Sequence, residues 1–261
     1  MPELPEVEMV RRYAEEQCKG RTITNVRVLD EGILDGISRS VFIRSVQGRQ
    51  IIGAGRHGKQ LFLDLRKGFM TVHLGMTGDL LMLKKGERSP SHARTLFTFD
   101  DATRLAYDDP RKFGALGLTS SIADFVREHQ LGPDALKVSK KEFVARAQGS
   151  HRAIKSVLLD QHVIAGVGNL YADESLFQSR IHPLLVSNEL PVEALERIWA
   201  QVRHVLNASI RVSTDFQMLP QGFLLRSRTA GSPCHRGNGI FQSIKVGGRT
   251  TIFCPACQKL I

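Results

Sequence analysis

Gly166-Val167-Gly168-Asn169 separates two runs of helical apolar spacing, residues 152–165 and 169–180, and predicts two helices joined by a glycine turn. The glycines let backbone amides approach closely whatever the turn faces, and Asn169 stands where a capping side chain is expected. A helix N-terminus presents unpaired N–H groups and is a site for an anion such as a phosphate, although a plain interhelical turn with an Asn cap is the better reading of the turn alone. Working outward, Ser139 with Glu142 three residues on resembles a capping box, and residues 191–210 read as a longer amphipathic helix that includes Trp199. Helical character begins near Ser120. Upstream, residues 22–29, 50–65, 69–83 and 95–107 are rich in β-branched residues, leucine and phenylalanine, and each run is bounded by Gly, Asp or Pro. Short, closely joined strands predict an antiparallel sandwich. The fold class is therefore α+β, with an N-terminal helix and antiparallel β-sandwich, a linker, a helical domain and a Cys-bearing C-terminal hairpin.

The 261 residues carry 36 Lys+Arg against 26 Asp+Glu, a formal charge of +10. That surplus implies a polyanionic partner, most simply nucleic acid, or an anionic membrane surface. No run is long or apolar enough to span a bilayer, and the N-terminus has no basic region followed by an apolar stretch, so an intracellular protein is expected. Four cysteines in such a chain argue against a disulfide framework. Cys234, Cys254 and Cys257 crowd into the last 28 residues and suggest a metal, whereas Cys18 continues the helical spacing of Val7, Val10 and Ala14 and reads as core.

The chain opens Met1-Pro2-Glu3-Leu4-Pro5-Glu6. Loss of Met1 would leave Pro2 as a free secondary amine beside the Glu3 carboxyl. An α-amino group titrates near pH ~8 rather than the ~10.4 of lysine, so part of it is unprotonated and able to attack a sugar carbon. The plainer alternative is a helix start, with Pro5 in the first turn and acids at its positive end. Three further turns carry chemistry-bearing residues. Gly58-Lys59 lies between strand-like stretches, and Lys59 is either a solvated charge, a phosphate ligand or an acid–base group. His73-Leu74-Gly75-Met76-Thr77-Gly78 and Asp109-Pro110-Arg111-Lys112-Phe113-Gly114 place Met76, Arg111 and Phe113 on glycine-punctuated loops. Met76 and Phe113 are either core residues or wedges that fill the space of an extruded base.

Together these segments resemble the formamidopyrimidine-DNA glycosylase and endonuclease VIII family of base-excision repair enzymes, over nearly the whole chain. The motifs are Pro-Glu-Leu-Pro-Glu-Val-Glu at the N-terminus, Gly58-Lys59, the two turns just quoted, Leu158-Leu159-Asp160-Gln161 through Gly166-Val167-Gly168-Asn169-Leu170-Tyr171-Ala172-Asp173-Glu174, and the Cys-bearing tail. The resemblance implies a bifunctional glycosylase and abasic-site lyase acting on double-stranded damaged DNA as a monomer in a bacterial cytoplasm, at the nucleoid. It implies a catalytic β-sandwich domain at 1–118, a linker at 119–133, a helix-two-turn-helix domain at 134–224 and a zinc-finger-like hairpin at 225–261. Pro2 would be the Schiff-base nucleophile, Glu3 the acid–base catalyst and Lys59 a phosphate contact that assists elimination. His92, Arg111 and Asn169 match phosphate-contacting positions, and His73 would hold the turn it precedes. Met76, Arg111 and Phe113 match the void-filling wedge, and Arg249 the finger arginine that clasps phosphates. The products would be a freed oxidised purine and a one-nucleotide gap left by β,δ-elimination.

The chain departs from the family at two places. The family's finger reads Cys-x2-Cys-x16-Cys-x2-Cys, and here Gly237 stands where the second cysteine belongs. Zinc with His235 as fourth ligand is expected, with a non-protein ligand or a metal-free hairpin as alternatives. After Asp215-Phe216 only residues 217–222 precede the next stretch, a short loop that resembles the endonuclease VIII branch, while the wedge residues resemble the guanine-lesion branch. Formamidopyrimidines are the expected substrates and 8-oxoguanine a further one. The rivals are an oxidised-pyrimidine glycosylase, a catalytically weak DNA-binding homologue, and a metal-dependent nuclease built on Asp108-Asp109.

Overall fold

The structure is a computed structural model that describes residues 2–259. Met1, whose removal the reading of Pro2 requires, lies outside the described residues. Helix α1 (Leu4–Cys18) buries Val7, Ala14 and Cys18 on one stripe, as their spacing predicts. There follow β1 (Ile23–Val28), α2 (Arg39–Val46), β2 (Gly53–His57), β3 (Gln60–Asp64), β4 (Phe69–His73), β5 (Asp79–Leu83), β6 (Ala93–Phe99), β7 (Arg104–Asp108) and β8 (Ala115–Thr119). They form two antiparallel four-stranded sheets, in the orders β1-β6-β7-β5 and β2-β3-β4-β8. Leu61, Leu63, Met70, Val72 and Leu116 from one sheet and Val26, Phe97, Leu105 and Tyr107 from the other share one buried core. Each such side chain withdrawn from water stabilises the sandwich by roughly 1.5–3 kcal/mol.

Three of the expected long strands are each two strands with a tight turn between them. The His57↔Gln60 pairing leaves only Gly58 and Lys59 to turn the chain. Residues 74–78 join β4 to β5, and residues 100–103 join β6 to β7. These turns carry Lys59 and Met76. Helix α3 (Ile122–Glu128), capped by Ser121, falls within the span expected as linker, and its Phe125 packs edge-on against Phe62 at 5.2 Å. By contacts, Pro2 and Glu6–His129 make one unit.

The second unit comprises Glu3–Pro5 and the chain from Gln130 onward. It contains α4 (Lys140–Gln148), α5 (Ile154–Leu159), α6 (Asn169–Ser179), α7 (Val192–Arg211) and the hairpin β9 (Gln242–Val246) and β10 (Arg249–Phe253). Ser139 caps α4 by accepting from the Glu142 amide at 3.2 Å. Helix α5 stops at Leu159, six residues short of the expected end. The Asp160 carbonyl accepts from both Val163 and Ile164, and its carboxylate accepts from the His162 amide at 2.9 Å, so local bonds replace the helical ladder. The Gln161 amide then braces the loop, donating to Leu159 and Val167 carbonyls and accepting from the Gly166 amide, each at 2.9 Å. Helix α6 is buried on almost every side, its polar Asp173, Glu174, Ser175 and Ser179 included. Asp173 and Glu174 are matched to donors within the protein, and these tie α6 to the segments around it. No helix among the described residues is long and apolar enough to cross a membrane.

Candidate catalytic and nucleic-acid-binding site

Glu3 is buried, and its carboxylate caps helix α6. Oε2 accepts from the Gly168 amide at 2.7 Å and the Tyr171 amide at 3.4 Å, and Oε1 from the Leu170 amide at 2.8 Å. These are N–H groups of the first helical turn, which has no intrahelical partner for them and carries the positive end of the helix dipole. Three donors and a dipole stabilise negative charge on Glu3. A Cβ at residue 168 would lie 2.3 Å from the Glu3 carboxyl carbon, so glycine is required there. The adjoining Leu4 amide donates to Gly166 O at 3.1 Å and fixes the approach of the chain. Pro2, which directly precedes this anchored carboxylate, is half-buried.

Asn169 differs from expectation. Gly168 is the cap residue, without a side-chain bond, and Asn169 is the first residue of α6. Because Glu3 supplies the cap, the Asn169 amide is released to reach the hairpin, donating to Thr250 O at 3.0 Å. Its Oδ1 is buried with no hydrogen-bond partner.

The same carbonyl of Thr250 receives Arg228 at 3.1 Å and has Lys155 Nζ at 3.5 Å. Lys155 is fully buried, 2.6 Å from Asp173 Oδ1 and 2.6 Å from Thr251 Oγ1, while Asp173 Oδ2 accepts from Arg228 Nε and the Ile252 amide, both at 2.9 Å. Burial pulls the Lys155 ammonium below the ordinary lysine range, against the opposing pull of Asp173. Residues 155, 173 and 228 thereby lock the strand that begins with exposed Arg249. Sequence reading missed this network, because a lysine and an aspartate on helices ordinarily signal solvated faces. Glu174, on the next position of α6, accepts from the Leu225 amide at 2.7 Å and from Gln178, and burial pushes its carboxyl up to about 7.

In the first unit, the Arg56 guanidinium donates to Gly58 O at 2.9 Å and to Glu8 at 3.3 Å, which steadies the turn that carries half-buried Lys59. His73 pairs in register with Gln60, next to Lys59. Burial, then the charge of Lys59, holds the His73 imidazole below its usual range, so it is neutral at physiological pH.

Met76 and Phe113 are not core residues, being 39% and 56% exposed. Buried Asp109 holds their two loops together, accepting from Thr77 Oγ1 at 2.7 Å, the Gly114 amide at 2.8 Å and the Arg111 amide at 3.2 Å. Burial pushes the Asp109 carboxyl up, but these bonds outweigh it and hold it below the usual carboxylate range. Backbone contact is so close that a Cβ on Gly75 would fall 2.4 Å from the Phe113 carbonyl carbon. The Arg111 guanidinium stacks over the Phe113 ring at 4.9 Å, and exposed His92 lies on the same rim, its carbonyl accepting from the Asp109 amide at 3.1 Å. Asp109 is thus spent on structure, which removes it from any metal-dependent nuclease site.

The sulfurs of Cys234, Cys254 and Cys257 all lie within 4.8 Å of one another, with Cys234 and Cys257 3.7 Å apart. Two zinc–sulfur bonds of about 2.3 Å at a tetrahedral angle put sulfurs roughly 3.8 Å apart, so the cluster fits a zinc ion. His235 does not join the cluster. It is exposed, and its Nε2 is 2.7 Å from Ser227 Oγ, because adjacent side chains at 234 and 235 diverge.

Residues 1–116 match the formamidopyrimidine-DNA glycosylase N-terminal domain and residues 131–218 the formamidopyrimidine-DNA glycosylase H2TH domain. A formamidopyrimidine-DNA glycosylase of Lactobacillus acidophilus is 35% identical, covering 100% of this chain and 99% of its own. The Lactococcus lactis formamidopyrimidine-DNA glycosylase bound to DNA containing an abasic site superposes with a TM-score of 0.90 at 28% identity, over 99% of this chain and 100% of that one. The Lactococcus lactis protein in complex with DNA containing FAPY-dG gives the same TM-score, identity and coverage. The chain belongs to the formamidopyrimidine-DNA glycosylase family.

Proposed function

We propose that this chain is a DNA glycosylase and abasic-site lyase that removes oxidised purines, formamidopyrimidines foremost, from double-stranded DNA. The observation that carries this reading is the Glu3 carboxylate, anchored on three amides of the α6 N-terminus with the Pro2 amine as its sequence neighbour. The Pro2 nitrogen attacks C1′ of the damaged nucleotide, the glycosidic bond breaks, and the base leaves with a proton. As the sugar ring opens, the N–H proton passes to the ring oxygen and the secondary amine of Pro2 is left as an iminium ion on C1′. Abstraction of a C2′ proton then expels the 3′ phosphate, and abstraction of the C4′ proton from the resulting unsaturated iminium expels the 5′ phosphate. Glu3 moves protons in these steps.

Exposed Met76 and Phe113 fill the space of the flipped nucleotide. Lys59, His92, Arg111, Asn169 and Arg249 hold phosphates and offset the few kcal/mol that unstacking costs. His73, neutral beside Lys59, supports the turn that begins at Leu74. Cys234, Cys254 and Cys257 would hold a zinc ion that cross-links the hairpin carrying Arg249.

A second reading, oxidised pyrimidines, is favoured by one observation. Only residues 219–223 separate the short turns Phe216–Met218 and Leu224–Ser227, too few for a long cover over a purine. Duplexes carrying a single formamidopyrimidine, 8-oxoguanine or oxidised pyrimidine decide the matter. The proposal expects base release fastest from formamidopyrimidine and strand products bearing phosphates at both ends. Release confined to the pyrimidine would establish the second reading.

A further inference from the structure

The three-cysteine cluster has no fourth protein donor among the described residues. Residue 237, which stands at the spacing of that donor, is glycine, and a Cβ built there meets nothing within 4 Å. His235 is turned away to Ser227. Access to the sulfurs is uneven. Cys234 and Cys254 are buried, whereas half-buried Cys257 lines a cavity of about 420 Å³ whose other walls are Arg180, Arg236, Ala256 and Lys259. Among the described residues its lining carries three cations and no carboxylate. Arg236 is a fixed wall, donating to the Phe177 carbonyl at 3.5 Å and lying 5.0 Å over the Phe177 ring. It also immediately precedes Gly237, the position of the missing donor.

A divalent ion held by three thiolates has a net charge of −1, and zinc takes four ligands in a tetrahedron. Thiolate donors favour soft and borderline ions such as zinc over hard ones, and a fourth sulfur completes a tetrahedral set of the kind structural zinc sites use. The cationic walls offset the existing negative charge and favour a further anion.

We propose that the cluster is an exchangeable metal site, in which three cysteines hold one divalent ion and the fourth position takes a small thiol that bears an anionic group. The ligand enters through the cavity, its anionic group beside Arg180 and Lys259. Its sulfur bonds at the open position, the thiol proton passes to solvent, and nothing is oxidised or reduced. The hairpin that carries Arg249 is then held more tightly when such thiols are abundant, since a ligand that binds only the folded form stabilises it by mass action. This inference stands apart from the catalytic reading, because the site contains none of the proposed catalytic residues.

The test uses the full chain loaded anaerobically with cobalt(II), whose visible and thiolate charge-transfer bands report the sulfur count that zinc hides. One cobalt per chain is expected, with a three-sulfur spectrum that converts saturably to a four-sulfur spectrum on titration with 2-mercaptoethanesulfonate. Cysteamine, the cationic counterpart, is expected to bind about tenfold more weakly, and Arg180→Glu with Lys259→Glu should erase that preference. Gly237→Cys has room for its side chain and should show the four-sulfur spectrum with no response to either thiol. Failure to bind cobalt, a spectrum indifferent to both thiols, equal affinity for the two, or a Gly237→Cys protein that still responds would each overturn the proposal.

Discussion

Glu3 and Gly168 lie 165 positions apart in the chain, yet the Gly168 amide donates to the Glu3 carboxylate at 2.7 Å and leaves no room for a side chain between them. Gly168→Ala should therefore displace Glu3 while leaving every proposed catalytic side chain chemically unchanged. A displacement on the order of 1 Å costs roughly 10²-fold in rate. Single-turnover base release should fall by about that factor, while a circular-dichroism melt shows the fold retained. An alanine variant with wild-type rate would show that the placement of Glu3 is immaterial.

Asp109 holds the two loops that display Met76 and Phe113. Asp109→Asn removes a charged acceptor from buried donors and should destabilise the protein by about 1.5–3 kcal/mol per strong bond lost. The sign with pH follows from its lowered folded pKa. Its contribution is fully present above the unfolded value of about 3.9 and disappears as pH falls through the lower folded value. Urea titrations from pH 7 down to pH 2.5 should show that acid-side slope in the wild type and a smaller one in the variant.

Lys155 and Asp173 form a buried ion pair beside the Arg249 hairpin. Lys155→Met removes one of two cations from buried Asp173, with Arg228 remaining, and should cost no more than about 3–5 kcal/mol. In a double-mutant cycle with Asp173→Asn the losses should be strongly non-additive. Additive losses would mean that the pair does not act as a unit.

The two halves of the molecule were unequally legible in the sequence. Strands and helices announce themselves through apolar period, and the glycine-bounded turns around Lys59 and Met76 fall where punctuation places them. Helix α5 ends short of its periodic pattern because the side chains of Asp160 and Gln161 compete with the helix, a matter of geometry that periodicity does not encode. That Asn169 is not the cap of α6 is hidden for a related reason. Its neighbourhood reads locally as a cap, and only the arrival of Glu3 from the far end of the chain makes that cap redundant. Lys155, Asp173 and Asp109 stayed hidden because burial of a charge depends on partners remote in sequence. His235 has the chemistry of a zinc ligand, but its side chain diverges from Cys234 toward Ser227, a direction that residue type does not encode.

Binding to DNA should be strongly salt-dependent. Arg249 is exposed at the hairpin tip, and Arg249→Ala should lower the slope of log K against log salt by roughly one. Fluorescence anisotropy on an abasic-analogue duplex between low and moderate salt measures that slope. An unchanged slope would remove Arg249 from the phosphate contacts.

Burial pushes the Cys18 thiol up to about 12, so it should resist alkylation at pH 8 in the native protein and react once urea exposes it. Peptide mapping by mass spectrometry checks this, with half-buried Cys257 of the metal-free protein labelled first.

The central claim is that the Pro2 amine, beside an anchored Glu3, forms a covalent iminium ion with the damaged nucleotide. Borohydride reduction during reaction with a formamidopyrimidine duplex, followed by proteolysis and mass spectrometry, tests it directly. The account predicts a stable protein–DNA adduct of one nucleotide strand per chain, with Met1 absent and the mass carried on the nitrogen of Pro2. Capture on a lysine, or no capture even from an abasic-site duplex by protein whose N-terminus is Pro2, would contradict it.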